Sequence, residues 1–195
     1  MRALYLTNNR SNFNTLIPEA LEMQSIEVTV RTSPVEATIK ADVIISDRYP
    51  HKIPEHICDQ FADKSVNLHS SMLPRYRGSY PILFSVLAGE DPGWSLHRID
   101  RVIDHGEVLF QKHVHTYLAT DTLRTLWVRC QLEMMTYLAS NFSYFYIHSR
   151  FPDLCQQSSI GDGKFYYRED LSQVARLLTQ GWDTPVSELY GLNPL

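Results

Sequence analysis

The chain has 195 residues, of which 44% are hydrophobic and 21% charged, a balance that suits one globular domain with or without a C-terminal appendage. The formal net charge of −4 and the pI of about 6.0 argue against the basic surface that nucleic-acid binding requires. Like charges do not cluster into a polybasic or acidic tail, so we expect no nucleic-acid partner.

The cysteines and the N-terminus indicate the compartment. Cys58, Cys130 and Cys155 are scattered and form no Cys-x-x-Cys pair, which predicts free thiols rather than a disulfide framework or a zinc finger. The N-terminus becomes polar too soon for a signal peptide, and no apolar run approaches the length of a membrane span. The sequence therefore predicts a soluble cytoplasmic protein with no membrane partner.

The N-terminal part alternates strand-like and helix-like segments. Residues 3–7, 26–30 and 41–46 are predicted strands, and apolar side chains over 13–21 recur at helical spacing. Pro54 suits the first turn of a further helix that leads to the next strand. This alternation predicts an α/β fold with a parallel, doubly wound sheet, in which ligands bind beyond the carboxyl ends of the strands.

The middle of the chain continues with a helix and two strands. The helix is predicted over 81–88, with Gly89 as its C-terminal stop. Strands are predicted over 94–99 and 107–115, on either side of a turn that contains Asp104.

A long helix follows, capped by Thr120 or Asp121. Its predicted apolar stripe consists of Leu123, Trp127, Cys130, Met134 and Leu138. The aromatic stretch 142–148 either continues this helix or leaves it near residue 140.

The last residues form a predicted C-terminal appendage. A strand is expected over 164–167, a helix capped by Asp170, and a short helical turn that starts at Pro185. We therefore divide the chain into a main domain, residues 1–150, and a small α/β appendage, residues 151–195.

An amide, an imidazole and a carboxylate stand out as candidate catalytic groups. Asn67 and His69 are two residues apart at the end of a predicted strand, so their side chains leave the same face. Asp104 lies in the later turn. Such groups together suit stabilisation of a tetrahedral acyl intermediate. Taken singly, the Asn-x-His pair could instead cap the next helix, and Asp104 could bond its own backbone.

These segments resemble those of the formyltransferases that use 10-formyltetrahydrofolate. That family has Asn-x-His-Pro-Ser-Leu-Leu-Pro-x-Tyr-Arg-Gly, then Thr-x-His, then Asp-x-Gly-x-Asp-x-Gly. The matching residues here are Asn67, His69, Ser71, Leu73, Pro74, Tyr76, Arg77, Gly78, Ser95, His97, Asp100, Asp104 and Gly106. The similarity extends more thinly from the N-terminus to about residue 148. It implies a Rossmann-like formyltransferase fold with a mostly parallel central sheet.

The resemblance implies a catalytic set of Asn67, His69 and Asp104. Asn67 and a protonated His69 would donate to the oxyanion, and Asp104 would favour the imidazolium and accept the proton of the attacking amine. His97 also matches the family, and there we expect packing or hydrogen bonding more than catalysis. His113 and His115 share a predicted strand face, but spacing alone supplies no zinc site, so no metal is expected.

The resemblance further implies transfer of a formyl group from 10-formyltetrahydrofolate to a primary amine. The compact length and the segment from Gly163 to Arg168 look most like the small formyltransferases that act on nucleotide-linked amino sugars. Alternatives are a formyltetrahydrofolate hydrolase, a glycinamide ribonucleotide formyltransferase, and a non-catalytic folate- or nucleotide-binding relative. A homodimer is plausible from the aromatic tail.

Folate-binding residues follow only from the resemblance. Pro50, His51, Lys52 and Ile53 align with the segment that contacts folate in the family, and Ile103 falls in the loop over the pterin. An ordinary strand-to-helix loop is the alternative for the first four.

Substrate-binding residues are implied in the same way. Asn9, Arg10 and Ser11 lie where glycinamide ribonucleotide formyltransferase has Ser-Gly-Asn-Gly-Ser-Asn, but both glycines are replaced, which weakens a ribonucleotide substrate. Arg10 could still hold an anion through its side chain. Arg77 of the main motif joins this predicted set.

Two departures from the family motifs concern the site. Ser70 replaces a proline and is expected to loosen the turn after His69. Val102 replaces a glycine, which would be costly if residue 102 had a positive φ.

Overall fold

The computed structural model of the protein describes residues 1–8, 12–35, 38–153 and 163–194. A six-stranded sheet in the order β2-β1-β3-β4-β6-β7 forms its centre, and β5 and β8 form a separate pair. The strands are β1 Arg2–Leu6, β2 Glu27–Arg31, β3 Val43–Asp47, β4 Ser65–His69, β5 Arg77–Gly78, β6 Gly93–His97, β7 Val108–His113 and β8 Phe165–Tyr166.

The sheet is mostly parallel. β1 lies between β2 and β3 and pairs with both in parallel, and β4 joins β3 with Ser46 opposite Asn67. The hydrogen bonds from Arg98 N–H to Glu107 O and from Val114 N–H to Pro92 O, each 2.8 Å, show that β6 and β7 form an antiparallel hairpin. The predicted Rossmann-like fold with a mostly parallel sheet is confirmed.

The helices agree with the predicted positions to within a few residues. They are α1 Leu16–Glu22, preceded by the 3-10 turn Asn12–Thr15, α2 Glu55–Gln60, α3 Pro81–Leu87, α4 Leu123–His148 and α5 Leu171–Val174. Gly89 follows α3 with a φ of 75°, and its N–H donates to Val86 O. A residue with a side chain would be strained in that left-handed conformation, so the predicted stop is confirmed.

The start of α4 differs from the prediction. Thr122, rather than Thr120 or Asp121, caps the helix, because its hydroxyl accepts the Thr125 N–H at 3.2 Å. The Asp121 carboxylate instead accepts two hydrogen bonds from Arg129. Three consecutive residues have capping side chains, so local pattern alone does not choose between them.

The length of α4 and the burial of its side chains can be compared with the predictions. It continues unbroken through residues 140 and 141. Leu126 is fully buried and takes the core position that was predicted for Trp127, which is only half-buried. The other four predicted stripe residues are buried.

The C-terminal elements are short. β8 lies within the predicted strand 164–167, and it pairs in parallel with β5. Asp170 does not cap the following helix; its carboxylate accepts the Tyr167 N–H at 2.7 Å, so a 3-10 turn over Arg168–Asp170 precedes α5. After Pro185 comes the predicted helical turn, Val186–Glu188.

The chain divides into two compact units made of alternating stretches. The first comprises Met1–His69, Leu96–Phe110 and Met134–Gln156, and the second Ser70–Ser95, Gln111–Glu133 and Gln157–Leu195. In the first unit, apolar side chains from β1, β3 and α2 form a buried cluster, on which Ile53 and Ile99 also pack. Compactness does not by itself delimit a catalytic segment, so the division at residue 150 stays a prediction.

Two cysteines are buried and unpaired, as expected. They are Cys58 and Cys130, and burial raises the pKa of the Cys130 thiol to about 12, so this thiol is unreactive near neutral pH. Cys155 lies outside the described residues. Within the described ranges, no helix is both long enough and apolar enough to cross a lipid bilayer.

Candidate active site

The candidate site lies in the first unit, at the carboxyl end of β4. Asn67 and His69 are the third and fifth residues of that strand, so both side chains leave the same face, as predicted. Asp104 lies in the turn between β6 and β7. Hydrogen bonds hold this hairpin against the start of β4: Ile99 N–H donates to Ser65 Oγ at 3.2 Å, and the Arg98 guanidinium donates to Asp63 O at 2.8 Å.

The structure brings the three predicted catalytic side chains together. Asn67 Nδ2 lies 3.4 Å from Asp104 Oδ1, and His69 Nδ1 lies 3.6 Å from Asp104 Oδ2. The side chains of His69 and Asp104 are only 8% and 9% exposed. Charge interactions between groups so well removed from water are stronger than at the surface. The arrangement therefore has the proximity that concerted donation and proton transfer need.

His97 adds a fourth polar side chain to the cluster. Its Nδ1 lies 2.7 Å from Arg98 O, and because a carbonyl only accepts, Nδ1 carries a proton. Its Nε2 lies 2.9 Å from Asn67 Nδ2 but 3.6 Å from Asp104 Oδ1. The shorter contact favours a neutral imidazole whose Nε2 accepts from the Asn67 amide. The opposite amide orientation would place Asn67 Oδ1 against the Asp104 carboxylate, which is repulsive.

We predict that His97 fixes the Asn67 amide, as the expected hydrogen-bonding role implies. His97→Leu should lower kcat of the reaction at this site by roughly tenfold or more, since a buried donor left without its acceptor costs about 1–3 kcal/mol. His97→Gln retains an acceptor and should recover part of the loss. Steady-state kinetics of both variants checks this, and equal activity of the leucine variant and the parent would contradict it.

The loop that carries Asp104, Asp100–Gly106, is called the Asp104 loop below. Val102 is not among the residues with positive φ; Asp104 itself has a φ of 52°, which aspartate tolerates better than most residues. The replacement of glycine by Val102 therefore does not carry the expected backbone penalty. Gly106 has no room for a side chain, because an added Cβ would lie 2.1 Å from Arg98 O.

The predicted folate-binding residues have varied surroundings. His51 Nε2 lies 3.2 Å from Thr32 O, Ile53 packs on the buried cluster, and exposed Lys52 pairs with Glu55. Pro50 is exposed in the same loop, between β3 and α2. In the Asp104 loop, the side chain of Ile103 is 54% exposed. These contacts neither require nor exclude folate, so the five assignments stay predictions.

The predicted substrate-binding residues are only partly described. Asn9, Arg10 and Ser11 lie outside the described residues. Arg77 lies in the second unit, where its Nη2 donates to Gly163 O at 2.5 Å. Its Nε is buried and has no partner among the described residues, which leaves a donor available to a ligand or a water.

The segment after His69 is well held despite the missing proline. Ser70 Oγ accepts a 2.7 Å hydrogen bond from the buried side chain of Gln131. Ser95 Oγ donates to Ser71 O at 2.6 Å and accepts the Leu73 N–H at 3.1 Å. Hydrogen bonds thus restrain this turn, which corrects the expectation that Ser70 loosens it.

A buried polar network at the ends of β1 and β3 escaped the sequence analysis. The Asp47 side chain is fully buried and accepts hydrogen bonds from Tyr5 Oη at 3.0 Å and from Arg48, whose Nη2 lies 2.6 Å away. Arg48 also donates to Asn14 Oδ1 at 3.0 Å, next to the β1–α1 connection. Burial and the neighbouring Asp47 raise the pKa of Tyr5, which keeps its hydroxyl a donor.

This network occupies the point where the strand order reverses. The chain passes from β1 outward to β2 and then returns to β3 on the other side of β1. Ligands of doubly wound sheets bind at such a point. The signal available in the sequence was the adjacent Asp47-Arg48 pair directly after an apolar strand.

A comparison with protein families agrees with the motifs and the geometry. The family model described as formyl transferase matches residues 5–139. The chain belongs to the formyltransferase family. The match covers β1 to the middle of α4 and includes the four polar side chains at the end of β4 and in the β6–β7 hairpin.

Several proteins named as formyltransferases are similar to this chain. A GDP-perosamine N-formyltransferase of Brucella melitensis is 32% identical over 130 residues, which are 63% of this chain and 50% of that protein. A methionyl-tRNA formyltransferase of Nitrosomonas eutropha is 32% identical over 65% of this chain and 40% of its own length. The chain thus spans about half or less of the length of these relatives.

A solved structure matches the whole chain. It is the formyltransferase PseJ from Anoxybacillus kamchatkensis, in complex with UDP-4,6-dideoxy-4-formamido-L-AltNAc and tetrahydrofolate. It is 29% identical, with a TM-score of 0.83 over 99% of this chain and 100% of that chain. A sugar N-formyltransferase from a Shewanella species, 19% identical with a TM-score of 0.73, shares the fold.

Proposed function

We propose that this formyltransferase moves a formyl group from 10-formyltetrahydrofolate to the primary amine of a nucleotide-linked amino sugar. The observation that carries the proposal is the convergence of Asn67 and His69 on the Asp104 carboxylate, at 3.4 and 3.6 Å. The similarity to PseJ over its full length supports an amino-sugar nucleotide as acceptor and a folate as donor. Membership of the family supports the reaction class.

The proposed reaction is an acyl transfer without a covalent enzyme intermediate. The amine nitrogen attacks the formyl carbon, and the former carbonyl oxygen becomes an oxyanion. The bond from that carbon to the folate nitrogen then breaks, and the folate nitrogen takes up a proton as the formamide forms. Charge therefore develops on one oxygen, and one proton has to leave the amine.

The side chains of the site suit these needs. The 2.9 Å bond to His97 fixes the amide plane of Asn67, and the contact of its other N–H with Asp104 is long, at 3.4 Å, so this N–H is the one available to an oxyanion. A protonated His69 supplies a second, charged donor. Asp104 stabilises this imidazolium and accepts the amine proton, directly or through a water.

The predicted binding residues complete the proposal. We assign folate contacts to Pro50, His51, Lys52, Ile53 and Ile103. Asn9, Arg10, Ser11 and Arg77 are assigned to the acceptor. We keep residues 1–150 as the catalytic domain and 151–195 as the appendage. A cytoplasmic location and a homodimer remain predictions.

Acceptor screening tests the proposal. The full chain is incubated with 10-formyltetrahydrofolate and amino-sugar nucleotides carrying UDP or GDP, the nucleotides named for PseJ and for the Brucella melitensis relative, and with glycinamide ribonucleotide. Mass spectrometry should show one formyl group added to an amino-sugar nucleotide. Formate release without any acceptor identifies a hydrolase instead. Formylation of the ribonucleotide, or folate binding without turnover, would equally overturn the proposal.

A further inference from the structure

Arg101 connects the Asp104 loop to α2 through an ion pair. Its Nε lies 3.0 Å from Asp59 Oδ1 and its Nη2 lies 2.6 Å from Asp59 Oδ2, a bidentate arrangement of the guanidinium and the carboxylate. Its Nη1 is also 3.9 Å from Glu55 Oε2. All three residues belong to the first compact unit. The loop that carries the candidate catalytic carboxylate is thereby joined to a neighbouring helix.

The two large apolar residues of the loop are mostly exposed. The side chains of Val102 and Ile103 are 56% and 54% exposed. The turn hydrogen bond from His105 N–H to Val102 O is long, at 3.3 Å. Asp104 has a φ of 52°, a left-handed conformation that few residues with a side chain adopt. A loop with this composition depends on polar contacts to keep one conformation.

We propose that Arg101 is a positioning residue that keeps Asp104 beside His69 through its ion pair with Asp59. This inference rests on the proposed function for its catalytic consequence. Residue 101 falls at a variable position of the Asp-x-Gly-x-Asp-x-Gly motif, so the motif does not mark it. The two side chains are 55% and 52% exposed, so dissolved salt weakens the pair and, with it, the placement of Asp104.

A closely matched control exists in the second unit. Arg124 and Asp183 form a bidentate pair with contacts of 2.6 and 3.0 Å, and both side chains are 56% exposed. This pair joins α4 to the turn Gly181–Asp183 and contains no residue of the candidate site. Arg101→Gln and Arg124→Gln therefore remove equivalent surface interactions with different expected consequences.

Hydrogen exchange followed by mass spectrometry tests the structural part. Peptides covering residues 99–107 should exchange roughly two- to fivefold faster in Arg101→Gln than in the parent, the range expected for a well-formed exposed pair. The parent should show a similar increase in 1 M salt, where the Debye length is about 3 Å. Arg124→Gln should leave this segment unchanged. Equal exchange of the segment in Arg101→Gln and in the parent overturns the proposal, whatever the enzyme's activity.

Kinetics then tests the positioning role. With the amino-sugar nucleotide that the parent formylates, Arg101→Gln should lower kcat by roughly two- to fivefold. The unfolding midpoint should match that of Arg124→Gln. Asp59→Asn should have the same effect on kcat, and the double variant should be no worse than either single one, because both remove one interaction. Additive losses, or a kcat equal to that of Arg124→Gln, contradict the role. If the parent itself transfers no formyl group, the proposed function fails, while the exchange result still decides on the loop.

Discussion

Asp104→Asn is expected to lower kcat of formyl transfer by about 10²–10⁴-fold, the usual contribution of a positioned acid or base. Asparagine has almost the same shape, and it tolerates the φ of 52° that residue 104 adopts. The change removes the charge that faces His69 Nδ1 at 3.6 Å, and with it the proposed acceptor of the amine proton. Donor binding should be affected far less than turnover.

Rapid-quench or steady-state kinetics with the identified acceptor measures this loss, and folate binding by calorimetry checks that the pocket survives. Asp183→Asn, which removes an exposed carboxylate of the second unit, serves as the control and should retain parental kcat. A parental kcat in Asp104→Asn would contradict the proposed role of Asp104 as the base. It would favour a reaction that does not use this carboxylate. Because the three polar groups act on one intermediate, the losses of Asn67→Ala and Asp104→Asn should not add.

Gly106→Ala is expected to be nearly as damaging, although Gly106 contacts no substrate in the proposed reaction. The added Cβ would lie 2.1 Å from Arg98 O and 2.8 Å from Arg98 C, both backbone atoms. That same carbonyl accepts the Nδ1 proton of His97 at 2.7 Å. Relief of the clash therefore shifts either the Asp104 loop or the residue that orients Asn67. A misplacement of about 1 Å in a catalytic site can cost roughly 10²-fold in rate.

The measurements for this variant are kcat and the free energy of unfolding, where overpacking should cost about 1–3 kcal/mol. Gly181→Ala is the matched comparison. Gly181 has a φ of 58°, but no atom of the described residues lies within 4 Å of an added Cβ, so its cost is backbone strain in the second unit at a residue outside the proposed catalytic set. It should lose stability and keep kcat. A Gly106→Ala variant with parental kcat would show that the Asp104 loop does not need this close packing.

The features that could be predicted from the sequence are those that depend on residues close together in the chain. Apolar runs predicted β1 and β3, and Gly89 predicted the end of α3, because these signals depend on neighbouring residues alone. The positions of Asn67 and His69 on one face follow from the two-residue period of a strand. That Asp104 lies beside them was suggested by a family motif and not by any local signal.

The unpredicted part depends on residues far apart in the sequence. Thr122 caps α4 because the Asp121 carboxylate is used by Arg129, a choice that three adjacent capping residues do not reveal. The bonds of Asp47 to Tyr5 and Arg48 form only when β1 and β3 are adjacent. The ion pair of Arg101 joins residues 42 positions apart. Ion pairs between residues so far apart leave no periodic pattern in the sequence, so the sequence alone does not predict them.

The chain passes several times between its two compact units, which restricts how either unit can be removed or exchanged. β6, β7 and α4 each begin in one unit and end in the other, and the boundary after residue 69 separates His69 from Ser70. Neither unit can be excised as a continuous fragment or replaced by joining gene segments. A change to either unit therefore has to be made within its separate stretches of the chain.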